Sequence, residues 1–131
     1  MIGINAKPAF GNPRTGLEEY AHQIIIHLIR EARMRGLEKY LSLYVPMWQN
    51  IPQDFLTVDV RVLHARRLWT QGRLALELLW NSPDIFFSPE QVLPHFAPPS
   101  SVVTVHDLAF EVYPEAYSPW RRRYLRFVTK S

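Results

Sequence analysis

Apolar residues along this chain recur with two different periods, one near two residues and one near four. Residues 1–6, Met1-Ile2-Gly3-Ile4-Asn5-Ala6, are a short apolar run ending in a polar loop, the pattern of a buried first strand. Beyond a loop over residues 7–15, Leu17, Tyr20, Ala21, Ile24, Ile25 and Leu28 recur at helical spacing. They predict a helix over about residues 16–35, with Gly36 as its stop signal. Residues 40–45 read as a second strand closed by Pro46. Val58, Val60 and Val62 then alternate with Asp59 and Arg61, which places residues 58–63 as a strand at the edge of a sheet. Leu68, Gly72, Ala75, Leu76, Leu79 and Trp80 mark a second amphipathic helix. Residues 84–88 and 101–106 are short, rich in Phe or Val and apolar on both faces, as central parallel strands are. Prolines at 89, 94, 98 and 99 fix a surface loop between them. Ser118-Pro119 suits the start of a last helix, with Ser as N-cap and Pro in the first turn.

The resulting alternation of strands and helices predicts an α/β fold, a Rossmann-like doubly wound parallel sheet in the order 3-2-1-4-5. At 131 residues the chain is long enough for one domain with a real core and too short for two. Its last residues, Lys130-Ser131, still carry a helical pattern, so the domain over 1–131 is expected to be truncated. Open α/β sheets bind ligands beyond the carboxyl ends of their strands. Here that rule gathers the loop from Asn5 to Gly16, Ser88-Pro89-Glu90 and His106-Asp107 onto one crevice.

Composition narrows the classes of function. Hydrophobic residues at 47% and charged residues at 21% are ordinary for a globular protein. Eleven prolines against five glycines point to stiff loops. The absence of cysteine removes disulfides, thiolate nucleophiles and Cys-ligated zinc, and fits a reducing cytoplasm. No secretory pattern opens the sequence, and no apolar run approaches the ~18 residues that cross a bilayer. A net charge of +3 argues against nucleic-acid binding, whose affinity is dominated by phosphate neutralisation.

Gly11-Asn12-Pro13-Arg14-Thr15-Gly16 opens the first helix, where backbone N–H groups and an arginine favour an anion such as a diphosphate. The same residues also read as an ordinary capped loop, with Thr15 as N-cap and Glu18-Glu19 complementing the helix dipole. Neither a Walker A motif nor a Gly-x-Gly-x-x-Gly fingerprint is present, which disfavours dinucleotide binding. His106 follows Val102-Val103-Thr104-Val105 and so lies at a strand mouth, suited either to contact a sugar hydroxyl and carry a proton or to cap the strand. Asp107 would face the opposite way along the strand and more naturally caps the next turn. His22, His27, His64 and His95 lack ligand-like partners, and no spacing suggests a metal site. Trp120, Tyr124 and Phe127 alternate with Arg121, Arg122, Arg123 and Arg126, a pattern shared by core helices with a solvated basic face and by helices that meet anionic lipid headgroups.

Three segments together, Ile2-Gly3-Ile4-Asn5-Ala6-Lys7-Pro8, Arg14-Thr15-Gly16-Leu17-Glu18-Glu19-Tyr20 and Ser101-Val102-Val103-Thr104-Val105-His106-Asp107-Leu108-Ala109-Phe110, closely resemble the amino-terminal domain of family 4 (group 1) glycosyltransferases. Tyr113-Pro114-Glu115 and the basic, aromatic segment after it extend the likeness over nearly the whole chain. The resemblance implies the amino-terminal, acceptor-side half of a GT-B fold, in a retaining enzyme that moves a sugar from a nucleotide-sugar donor to an acceptor without a metal or other cofactor. It implies that Arg14, Thr15 and Gly16 approach the donor diphosphate, that His106 contacts and positions the transferred sugar, and that Asp107 belongs to the same substrate-binding motif. The family's carboxy-terminal domain carries a Glu-x7-Glu motif, and no two glutamates here have that spacing.

These observations make the expected protein the acceptor-side domain of a cytoplasmic sugar transferase, inactive as this chain alone and completed by a carboxy-terminal domain. The alternative is a catalytically silent interaction module that self-associates through an unfinished sheet as a homo-oligomer. A third reading is a membrane-surface adaptor that docks peripherally through residues 118–131.

Overall fold

A computed structural model describes residues 1–11, 14–46, 51–65, 67–106, 114–116, 118–120, 122–123 and 126. Five strands, β1 (Ile2–Asn5), β2 (Leu41–Pro46), β3 (Asp59–Leu63), β4 (Ile85–Ser88) and β5 (Ser101–Val103), form one sheet in the order β3-β2-β1-β4-β5. Every pairing is parallel, with Gly3 opposite both Ser42 and Phe86. The chain adds β2 and β3 on one side of β1 and β4 and β5 on the other, so the order reverses between β1 and β4. The protein has the α/β, Rossmann-like architecture expected, with the first strand central and the 58–63 segment at an edge.

The first helix, α1 (Gly16–Met34), covers one face of the sheet. Its buried residues Ala21, Ile25, Ile29 and Ala32 join Ile4, Leu41, Leu43 and Val45 in one core cluster. Tyr20 and Leu28, which belong to the expected stripe, lie at its margins and are part-exposed. The helix ends where Gly36 adopts φ +65°, a conformation open to glycine without steric cost. There Leu37 and Gly36 donate backbone N–H groups to Ala32 at 2.8 Å and Arg33 at 3.1 Å, the paired bonds of a Schellman ending.

The second helix lies over the opposite face and differs from the helical reading of its sequence. It begins as a π-helical segment, Trp69–Leu74, and continues as α2 (Ala75–Trp80). Trp69, Leu74 and Leu78 pack with Tyr44, Leu63 and Phe86, and the Trp69 indole N–H donates to the Leu63 carbonyl at 3.0 Å. A wide turn with i→i+5 geometry brings residues five apart onto one face, so Trp69 and Leu74 both point inward. Continuous α-periodicity predicts Leu68, Gly72, Ala75, Leu76, Leu79 and Trp80 on the inward face; Ala75 is buried, whereas Leu68, Leu76, Leu79 and Trp80 are exposed, Leu68 at 79% and Trp80 at 72%.

Strand β5 is also corrected. Its apolar pattern predicts a central strand that runs to residue 106, but it ends at Val103 and holds the edge place that the 3-2-1-4-5 order gives it, pairing on one side only among the described residues, with Val102 55% exposed. Thr104 extends the pairing by one bond, its N–H donating to Ser88 at 3.1 Å. Beyond the sheet, Arg122 donates its N–H to the Ser118 carbonyl at 3.0 Å, one helical turn starting where Ser118-Pro119 predicts it.

The centre of the sheet is tight. A Cβ added at Gly3 would lie 2.7 Å from Tyr44 Cε2 and 2.9 Å from Pro83 Cγ, both rigid ring atoms. The Tyr44 hydroxyl is fully buried and has no hydrogen-bond partner among the described residues, and burial pushes its pKa up. Gly3→Ala is therefore expected to destabilise by about 1–3 kcal/mol through overpacking. Tyr44→Phe, which removes the unpaired hydroxyl and keeps the ring, is expected to be neutral or stabilising by up to about 1 kcal/mol. Urea unfolding of both variants checks the pair, and a clearly destabilised Tyr44→Phe would show that the hydroxyl has a partner.

Candidate functional site

Asn5 and Ser88 are the last residues of β1 and β4, the two strands between which the order reverses. Continuing the register from Ile4 opposite Phe87 places them side by side. Both are fully buried, and a buried amide must find hydrogen-bond partners or cost several kcal/mol. The Asn5 amide donates to Ser88 Oγ at 3.3 Å and to the Glu90 carboxylate at 2.8 Å, while its oxygen accepts the Lys7 backbone N–H at 3.2 Å. Ser88 in turn donates to the Val92 carbonyl at 3.2 Å. Desolvation raises the Glu90 pKa, against which the Asn5 hydrogen bond and the charge of Lys7 act. A carboxyl and an amide thus meet at the topological switch point, within reach of the charge of Lys7, whose ammonium lies over the Trp69 ring.

His106 stands at the same end of the sheet. It is exposed, past the end of β5, and its Nε2 lies 3.0 Å from the Pro89 carbonyl oxygen. Tyr20 on α1 meets the imidazole edge-on at 4.9 Å between ring centroids and bonds Thr104 through its hydroxyl at 3.1 Å. The expected convergence of the loop after Asn5, Ser88-Pro89-Glu90 and His106 is therefore present. Tyr20 stands both in the helical stripe and in the Arg14–Tyr20 segment that resembles the family, and neither pattern predicts its contact with His106.

The start of α1 engages its own carboxylates. Glu18 accepts the Thr15 N–H at 2.8 Å and also the Thr15 hydroxyl, the return half of a capping box. Those hydrogen bonds hold the Glu18 pKa down. Arg14 pairs with Glu19 at 3.3 Å, both exposed, and the Glu19 pKa is lowered by its Gln23 and Arg14 hydrogen bonds. An anion reaching Arg14, Thr15 and Gly16 must displace these glutamates, a competition already visible in their spacing. Tyr20 links this helix start to His106, so both candidate regions share one end of the sheet. Asp107 lies outside the described residues, as do Arg121, Tyr124, Phe127 and Lys130 of the basic segment.

No family model, curated protein or solved structure matches this chain.

The remaining histidines do other work. His22 is buried on α1, stacked on Phe55 at 5.6 Å, with Nδ1 unpartnered and its pKa lowered first by desolvation, which marks a core residue. His27 Nδ1 lies 2.8 Å from the Gln23 carbonyl, and His64 and His95 are exposed. Among the described residues no three His, Asp or Glu side chains are grouped to hold a metal, and no helix is long and apolar enough to cross a membrane.

The raised Glu90 pKa has a signed consequence. Between its ordinary and its folded value the folded state holds a proton that the unfolded chain has lost, so stability falls as pH rises through that window. Glu90→Gln keeps an acceptor for Asn5 and removes the buried charge. It is expected to raise the melting temperature near neutral pH, with the gain vanishing below about pH 4, under the ordinary glutamate range. A gain that persists unchanged in acid would rule out charge burial as its cause.

Proposed function

We propose that this chain is the amino-terminal, acceptor-side domain of a retaining GT-B glycosyltransferase, acting on a nucleotide-sugar donor and a sugar acceptor without a metal cofactor. The observation that supports it most is the Asn5–Glu90 hydrogen bond at the carboxyl ends of β1 and β4, with His106 bonded to the neighbouring Pro89 carbonyl, around the switch point of a 3-2-1-4-5 sheet. Of these, Asn5 and His106 belong to segments that resemble the family, and Glu90 does not. In this reading His106 contacts the transferred sugar, and Arg14, Thr15 and Gly16, with Asp107 in the same motif, bind substrate. The donor-binding half is a separate carboxy-terminal domain, and the work is cytoplasmic, with residues 118–131 available for peripheral membrane contact.

Catalysis in this reading needs the leaving diphosphate held in a closed cleft, and this domain supplies one wall of it. The 131-residue chain alone is expected to transfer no sugar measurably, and to do so when joined to a donor-binding domain. In that complete enzyme His106→Ala is expected to lower kcat/KM by about 30- to 1000-fold, equal to about 2–4 kcal/mol of transition-state stabilisation. Arg14→Ala should instead weaken donor binding, so that its penalty shrinks at high donor concentration. Kinetics and melting temperature measured on the same preparations decide the assignment. A His106→Ala enzyme that is destabilised yet fully active per folded molecule makes His106 a strand cap, the role its bond to Pro89 also allows.

A second reading, a self-associating module without catalysis, is favoured by the exposed Leu68, Leu76, Leu79 and Trp80 on the second helix and by Val102 on β5. Light scattering over a wide concentration range is expected to show a homo-oligomer, reduced by Leu79→Lys with Trp80→Lys. A clean monomer at every concentration removes this reading.

A further inference from the structure

Tyr20 is 38% exposed on α1, and its contacts are with the site rather than the core. Its hydroxyl lies 3.1 Å from Thr104 Oγ1, and its ring meets the His106 ring with centroids 4.9 Å apart and planes at 87°. His106 Nε2 lies 3.0 Å from the Pro89 carbonyl oxygen. A carbonyl oxygen only accepts, so Nε2 carries the proton in that bond. In the neutral ring this leaves Nδ1 unprotonated and an acceptor. Thr104 is itself anchored, because its backbone N–H donates to Ser88 at 3.1 Å. Three segments that are distant in sequence thus hold one imidazole: α1 through Tyr20, the residue after β4 through Pro89, and the extension of β5 through Thr104.

We propose that Tyr20 is a positioning residue for His106: its ring, packed perpendicular to the imidazole, acts with the Pro89 carbonyl to hold the imidazole in one orientation as the Nε2–H tautomer and makes Nδ1 the hydrogen-bond acceptor that the site offers a ligand hydroxyl. Edge-to-face packing of this kind contributes about 0.5–1.5 kcal/mol beyond area burial, enough to bias an exposed ring roughly two- to tenfold toward one arrangement. The Tyr20 ring does the holding, and its hydroxyl bond to Thr104 does not touch the imidazole. The importance of Nδ1 for sugar contact rests on the glycosyltransferase reading. The tautomer and its dependence on Tyr20 do not.

Long-range nitrogen–proton correlation spectra of the 15N-labelled 131-residue chain, recorded well above the ordinary histidine pKa, read the tautomer directly. The His106 signals are assigned by their loss in His106→Gln, and exposed His64 in the same spectrum serves as the solvent-averaged reference. His106 is expected to be displaced from His64 toward pure Nε2–H. Tyr20→Phe should preserve that displacement because the ring remains, whereas Tyr20→Leu and Tyr20→Met should return His106 to the His64 pattern with helix content unchanged by circular dichroism. A wild-type His106 that coincides with His64, a dominant Nδ1–H form, or a displaced signal that survives in both folded Tyr20→Leu and Tyr20→Met overturns the proposal. No turnover is required, so inactivity of the complete enzyme would count against the glycosyltransferase reading and leave the tautomer result standing.

Discussion

The burial of one amide organises the carboxyl end of this sheet. Asn5 ends the central strand with no exposed surface, and every hydrogen bond it lacks would carry a desolvation cost of several kcal/mol. It finds partners in Ser88, in the Glu90 carboxylate and in the Lys7 backbone. Because Ser88 and Glu90 lie 83 and 85 residues away, these bonds determine how the loop after β4 lies against the loop after β1. The position of Pro89 between them then sets where His106 can dock its Nε2. Removing the Asn5 amide would thus disturb the carboxyl and the imidazole together.

Packing under that end follows from the central place of β1. A strand with parallel neighbours on both sides must be covered on both faces, and the two covers are built differently. On the α1 side a regular helix lays small and branched residues, Ala21, Ile25, Ile29 and Ala32, onto Leu43 and Val45. On the other side Tyr44 fills the space over Gly3, so the helix there must meet an aromatic surface. It does so with Trp69, whose indole is tied to Leu63, and the π-helical segment then brings Leu74 onto the same face. The large ring in the sheet and the wide turn in the helix are two parts of one packing solution.

Electrostatics divides the site into two regions. At the switch point a carboxyl whose pKa is raised by burial sits beside an amide and near an ammonium, a mixture suited to hydroxyl-bearing ligands. At the start of α1 two carboxylates of lowered pKa occupy the N–H groups and the arginine that would otherwise attract an anion. Phosphate binding there would exchange internal carboxylates for external charge, so its strength would depend on how easily Glu18 and Glu19 release their partners. Tyr20, one turn into the same helix, contacts His106 and Thr104.

Local pattern was sufficient for much of this architecture. The strand and helix order, the edge position of the 58–63 segment, the stop at Gly36 and the carboxyl-end loops that build the site all follow from period, glycine conformation and the geometry of parallel sheets. These are properties of a few neighbouring residues, so the sequence states them directly. Tertiary structure decided the rest. The phase of the second helix depended on where Trp69 could reach the Leu63 carbonyl, and a π turn shifts every later residue relative to an α-helical count. The short, one-sided β5 depended on what packs beside it, which no period records. Tyr20 reaches His106 only because α1 crosses the sheet beside the end of β5, placing side chains 86 positions apart in contact. Contacts of that range come from the summed burial of the whole core, and a local pattern of residues carries no record of them.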